Sequence, residues 1–353
     1  MENSYILHQN FFAKENRQIK KKNLDGIIFT RACCSLGIVI YHYFCHSKGN
    51  FKFLYGTANA SFGFIFVTSF FNISGACLYY NYPLIKSIRI FYYKRWKSIF
   101  PSYLICYSYF YITLSFRLHK LYFKKNISNI IFTALGLDGY FLYRIETWYL
   151  TGEWFLGAII IIYFLYPLMT YIINKKYYLS FLIICFLNFF MYYTKFFIVE
   201  RERNIITCIT SFYFGIIAIK FKILFFENIS SFIISFIVFV SLSKFKLKFC
   251  EIIFQIQGFS FFIIATKIGK YIIPKKYGGI FIKISKLSFN IYLFHHKIIK
   301  DILSINNPFS WHLHLINLSF VFLLTIICSK ILQLVVDSII NSSIFKKFES
   351  FYI

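Results

Sequence analysis

Apolar stretches of about twenty residues recur from end to end of this 353-residue chain, and they limit its fold more than any other feature. At about 1.5 Å rise per residue, such a stretch crosses the roughly 30 Å hydrocarbon core of a bilayer as a helix. The expected fold is therefore an all-α integral membrane protein. Ten spans are predicted, at about 26–45, 60–81, 99–116, 153–173, 177–197, 204–220, 228–243, 249–267, 285–303 and 311–333. An eleventh stretch, about 127–143, is interrupted by Gly136, Asp138 and Gly139.

Charge arbitrates between ten spans and eleven. Only 15% of the residues are charged, where a soluble domain would carry closer to about a quarter. The net charge of +26 sits mostly in short loops, which is the positive-inside pattern of a membrane protein. Attraction to anionic lipid follows from it, and a nucleic-acid partner is not expected. With the N-terminus inside, ten spans place about 23 Lys and Arg inside and about 15 outside, leaving out Arg31. Eleven spans would divide them about 19 and 19, with no bias. Ten spans are preferred, with 127–143 as a re-entrant or buried outer segment. Both termini are then cytoplasmic, and no cleaved signal peptide is read. The organisation expected is a basic tail (1–23), a transmembrane domain (24–335) and a short C-terminal tail (336–353).

Two ionisable residues interrupt the first apolar stretch. Arg31 and His42 stand eleven residues apart. At about 100° per residue, that spacing returns to within roughly 20° of one helix face, about 16 Å along the axis. A charged arginine costs at least about 2.5 kcal/mol in mid-bilayer unless it faces protein or water. The pair therefore suggests a polar path into the membrane. In the alternative, Arg31 snorkels to the inner interface and His42 sits near the outer one. The nine cysteines form no CxxC pair and no metal-ligand spacing, so no metal site is expected, and those in the apolar runs read as small packing residues.

Four segments, in order, resemble the membrane-bound acyltransferase-3 family. Leu24-Asp25-Gly26 precedes Arg31, ten residues and His42. Phe70 to Gly75 (FFNISG) is similar to the family's aromatic run ending in Ser-Gly. Phe91 to Tyr103 (FYYKRWKSIFPSY) is similar to its basic stretch leading into Ile-aromatic-Pro-x-Tyr. Leu287 to His295 (LSFNIYLFH) is similar to its Tyr-Leu-x-His segment, and Glu153 to Pro167 resembles a further span. One position departs from the pattern: Ser98 stands where the family often has a second Arg after Arg95.

The resemblance implies transfer of an acyl group, usually acetyl, from cytosolic acyl-CoA to a hydroxyl of a cell-surface polysaccharide or lipid-linked sugar. Acyl-CoA is then the donor substrate, and the cytoplasmic membrane is the location. The implied catalytic residues are His42, Arg31, Glu153 and His295. Arg31, Lys94, Arg95 and Lys97 are the implied donor-binding residues. His42 could deprotonate the acceptor hydroxyl or carry the acyl group covalently. Glu153 could orient His42, bind the sugar, or simply sit at a helix N-terminus. His312 and His314 are expected to be interfacial. A flippase for lipid-linked sugar, or a glycan polymerase, is the alternative class of function.

Overall fold

The structure is a computed structural model that describes residues 25–47, 62–121, 126–194, 199, 201–221, 229–244, 250–308 and 310–350. The basic tail of residues 1–23 lies outside them. The described residues are helical, with no strand among them. The helices are α1 (Asp25–His46), α2 (Phe62–Asn81), α3 (Ile88–Arg117), α4 (Ile130–Ala134), α5 (Asp138–Phe141), α6 (Glu153–Lys175) and α7 (Tyr177–Tyr193). They continue with α8 (Ile205–Lys220), α9 (Ile229–Lys244), α10 (Cys250–Ile272), α11 (Gly278–Ile305), α12 (Trp311–Asn341) and α13 (Ser343–Ser350). In its described residues, each of the ten predicted spans overlaps one of these helices, while 60–61, 195–197, 228 and 249 lie outside the described residues. Six are long and apolar enough to cross a membrane by length and composition, and α7, α8 and α9 are shorter apolar helices. The chain is a multi-pass membrane protein.

The interrupted stretch at 127–143 does not span. It folds as a single 3₁₀ turn and the short helices α4 and α5, of which α5 packs against the start of α6. Gly136, at φ +68°, takes the left-handed conformation that ends α4. Only part of the segment is covered by protein: Asp138 and Thr133 are buried, while Ile127, Ile130, Ile131 and Leu135 are exposed.

Small and hydroxyl residues bring the helices together. A side chain at Gly75 would run into the backbone of Phe212, and one at Gly215 into the backbone of Asn72. α2 and α8 therefore cross with their main chains nearly touching, as small residues allow in membranes. Ser69 Oγ donates to the carbonyl of Gly258 at 2.9 Å and ties α2 to α10. The Thr30 and Thr266 hydroxyls meet at 3.0 Å between α1 and α10. Asn290 Nδ2 donates to the carbonyl of Ser329 at 3.1 Å between α11 and α12. Phe164, Leu168, Phe186, Phe189, Phe320 and Leu323 face outward, as a lipid-contacting surface requires. Past the last predicted span, α12 continues to Asn341 and α13 folds back. There Glu349 pairs with Lys97 of α3 at 2.6 Å.

Candidate functional site: a histidine and carboxylate cluster on a transmembrane cavity

Three helices bring four ionisable side chains to one point. His42 lies on the last turns of α1, Glu153 is the first residue of α6, and His295 and His296 lie within α11. His42 Nδ1 is 3.0 Å from His296 Nε2. The same His296 Nε2 is 2.5 Å from Glu153 Oε1. The rings of His42 and His295 lie 5.2 Å apart, centre to centre. One ligand-type atom from each of the four residues lies within 4.8 Å of all the others.

His295 has a defined tautomer. Its Nδ1 faces the carbonyl oxygens of Tyr292, at 2.8 Å, and Ile291, at 3.2 Å. Carbonyls only accept, so Nδ1 carries the ring proton and donates. Nε2 is then a bare lone pair, buried and with no hydrogen-bond partner.

Glu153 is held in place by an unusual helix start. Gly152 precedes it at φ +90°, and Glu153 itself has φ +29°. A non-glycine residue at positive φ stores strain that its surroundings must overcome. Tyr292 supplies part of that support. Its hydroxyl donates to the Gly152 carbonyl and accepts from the Leu156 amide at 3.1 Å. Thr151 Oγ1 donates to the Leu293 carbonyl at 2.7 Å, a second tie between this turn and α11. Gly139 lies so close to the Glu153 backbone that a side chain there would collide with it. The interruption that stops residues 127–143 from spanning is thus what lets them brace the α6 start.

Next to that brace, Asp138 accepts from Tyr103 and Thr133 hydroxyls at 3.3 Å each and from the Gly139 amide at 3.0 Å. Burial pushes its carboxyl up to about 6, and these donors pull back only part of the shift.

The cluster opens onto a cavity of about 360 Å³ that runs along α1. Arg31, His42, Glu153, His295, Tyr292 and Ser98 all line it. The common face read from the eleven-residue spacing is therefore real: Arg31 and His42 face one space. Arg31 Nη2 also donates to Cys77 Sγ at 3.2 Å. The other walls are largely aromatic and aliphatic, including Phe70, Trp154, Phe155 and Phe289.

The basic stretch of α3 is placed differently. Arg95 lies over the rings of Tyr82 and Tyr163, at 5.3 and 5.9 Å, and Lys94 lies 5.9 Å from Tyr82. Lys97 is engaged by Glu349. Of this stretch it is Ser98 and Ile99 that line the cavity. Ser74, in the Ser-Gly pair, shares a hydrogen bond with the Tyr163 hydroxyl at 2.7 Å.

Two residues carry more of the site than the sequence assigned them. His296 makes both short contacts, yet the sequence pattern pointed to its neighbour His295. Adjacent positions on a helix diverge by about 100°, so a motif centred on one says little about the other. Tyr292 was one tyrosine among 29. His314, expected at an interface, is instead fully buried, 3.1 Å from the Tyr43 hydroxyl.

The model of the acyltransferase domain of the acyltransferase-3 family matches residues 24–333. The chain belongs to the acyltransferase-3 family. Neither the curated proteins nor the solved structures contain a match to it. The acyltransferase-3 match covers every residue of the cluster and both ends of its cavity. It supports a membrane acyltransferase activity for the chain.

Proposed function

We propose that this membrane acyltransferase moves an acetyl group from cytosolic acetyl-CoA to a hydroxyl of a cell-surface polysaccharide or its lipid-linked precursor, in the cytoplasmic membrane with both termini inside. The observation that carries the reading is the row His42–His296–Glu153, whose His42 and Glu153 line the same cavity as Arg31. A neutral imidazole is a general base near pH 7, and a carboxylate two contacts away favours the imidazolium it becomes.

The cavity is small and mostly apolar, so it suits a slender thioester arm rather than a whole nucleotide. About 16 Å separates Arg31 from His42 along α1. Arg31 therefore does not act on the carbonyl that His42 serves; it meets the polar part of the donor on the way in. The adenosine phosphates stay outside, where Lys94 and Arg95 of α3 offer positive charge, Lys97 being paired with Glu349.

In the reaction, His42 takes the proton of the acceptor hydroxyl. The hydroxyl oxygen forms the new bond to the acyl carbon as the carbon–sulfur bond of the thioester breaks. The proton on His42 then goes to the departing thiolate, giving the ester and the free thiol. Glu153, through His296, stabilises the charged intermediate state of His42.

The test is ester-linked acetyl on surface glycan in a deletion strain complemented with wild type, His42→Ala or Arg31→Ala at equal membrane levels. The reading expects loss of acetyl in both variants while the glycan is still made and exported. Unchanged acetyl with impaired export or shorter chains would instead indicate a flippase or polymerase.

A further inference from the structure

We propose that His42, His295, His296 and Glu153 form a binding site for one divalent transition-metal ion of the zinc class, and that metal held there silences acyl transfer. The silencing part rests on the transferase reading above; the binding part does not.

Electron pairs outnumber protons in the cluster. His42 Nδ1 and Glu153 Oε1 both approach His296 Nε2, at 3.0 and 2.5 Å, yet that nitrogen carries at most one proton. His295 adds a further lone pair that is buried and unpartnered. Converging lone pairs in a poorly solvated place are stabilised by a cation at their centre.

The donor set selects the kind of cation. Three imidazoles and one carboxylate suit zinc and its neighbours rather than magnesium or calcium, which take oxygen ligands. Zinc bonds of about 2.0–2.2 Å put tetrahedral ligands roughly 3.4 Å apart, and the four atoms here already lie within 4.8 Å.

The surroundings have the form that metal-binding histidines need. His295 donates its other ring N–H to backbone carbonyls, the outer contact that fixes a ligating tautomer. Glu153 is held by the Tyr292 and Thr151 ties between α6 and α11. The cavity supplies an entry path, since His42, Glu153 and His295 all line it. The ligands come from three separate helices, which is why no spacing in the sequence marks the site.

Metal at this point occupies the His42 lone pair that faces the cluster and the carboxylate that would support its imidazolium. The acceptor proton then has no base to receive it.

The experiment uses full-length protein carrying a tag without histidine, stripped with a chelator and titrated with cobalt(II) and zinc(II). The expected results are visible cobalt absorption of a nitrogen–oxygen site and one metal per chain by elemental analysis. Affinity should fall at least about tenfold in His295→Ala and in His296→Ala. Zinc should lower acyl transfer by the wild type, and chelator should restore it. The proposal is overturned if wild type binds well under one equivalent, if both variants bind as tightly as wild type, or if transfer persists with one equivalent bound. Wild-type stoichiometry decides the matter even if the variants do not fold. Inactivity of metal-free protein would count against the transferase reading and leave the metal count as it stands.

Discussion

Replacing Glu153 by Gln removes one negative charge while keeping the side chain's size. Glu153 lies within 4.8 Å of the ring nitrogen of His42 that faces the cluster. At an effective dielectric of about 20, a unit pair at that distance interacts by about 3.5 kcal/mol. That energy is available only when His42 is charged, so it acts on the transfer step and not on donor binding. It corresponds to a fall of roughly 300-fold in kcat, with the KM for acyl donor little changed. The assay is initial-rate acyl transfer by purified wild type and Glu153→Gln, with a melting curve for each to confirm that the variant is folded. Folded Glu153→Gln retaining more than about a tenth of wild-type kcat would refute the idea that this carboxylate meets charge on His42.

Tyr292→Phe should lower kcat/KM about tenfold by loosening the start of α6. The Gly152 carbonyl loses its hydroxyl donor, at a cost of about 1–3 kcal/mol. The Leu156 amide keeps its longer contact with the same carbonyl at 3.3 Å, so an unchanged melting temperature and rate would contradict the assignment. Gly75→Val should fail to give folded protein by size-exclusion profile, since its side chain meets the backbone of Phe212, whereas Gly279→Ala, with open space around it, should behave as wild type. The raised carboxyl of Asp138 gives a pH dependence of definite sign. The folded state holds this proton more tightly, at about 6 against 3.8, so stability is greatest below pH 4 for this group and declines as pH rises toward 6. The change is about 3 kcal/mol at most, and Asp138→Asn should flatten that part of a melting-temperature profile.

Much of this fold was legible because the bilayer allows so few solutions. Runs of about twenty apolar residues gave the helices, six of which, among the described residues, are long and apolar enough to cross a membrane. The glycines at 136 and 139 correctly argued against an eleventh. They did not reveal that Gly139 seats the backbone of Glu153, because that contact depends on how the irregular residues 142–152 turn the chain back on itself. The same limit applies to the site. Arg31 and His42 share one helix, so periodicity placed them on one face. Glu153 and His295 came from family resemblance, and their meeting with His42 depends on how α6 and α11 pack against α1. His296 was passed over for its neighbour, since nothing in a single helix says which of two adjacent rings turns toward another helix.

The central claim is acyl transfer in which His42 acts as base, and its most direct measurement uses purified protein in lipid vesicles. Radiolabelled acetyl-CoA is supplied on the face bearing the Lys94, Arg95 and Lys97 end of α3, and a lipid-linked saccharide is supplied as acceptor. The account predicts alkali-labile label on the saccharide with wild type and at least a hundredfold less with folded His42→Ala. Equal labelling by His42→Ala, or labelling only when acetyl-CoA is supplied on the opposite face, would contradict it.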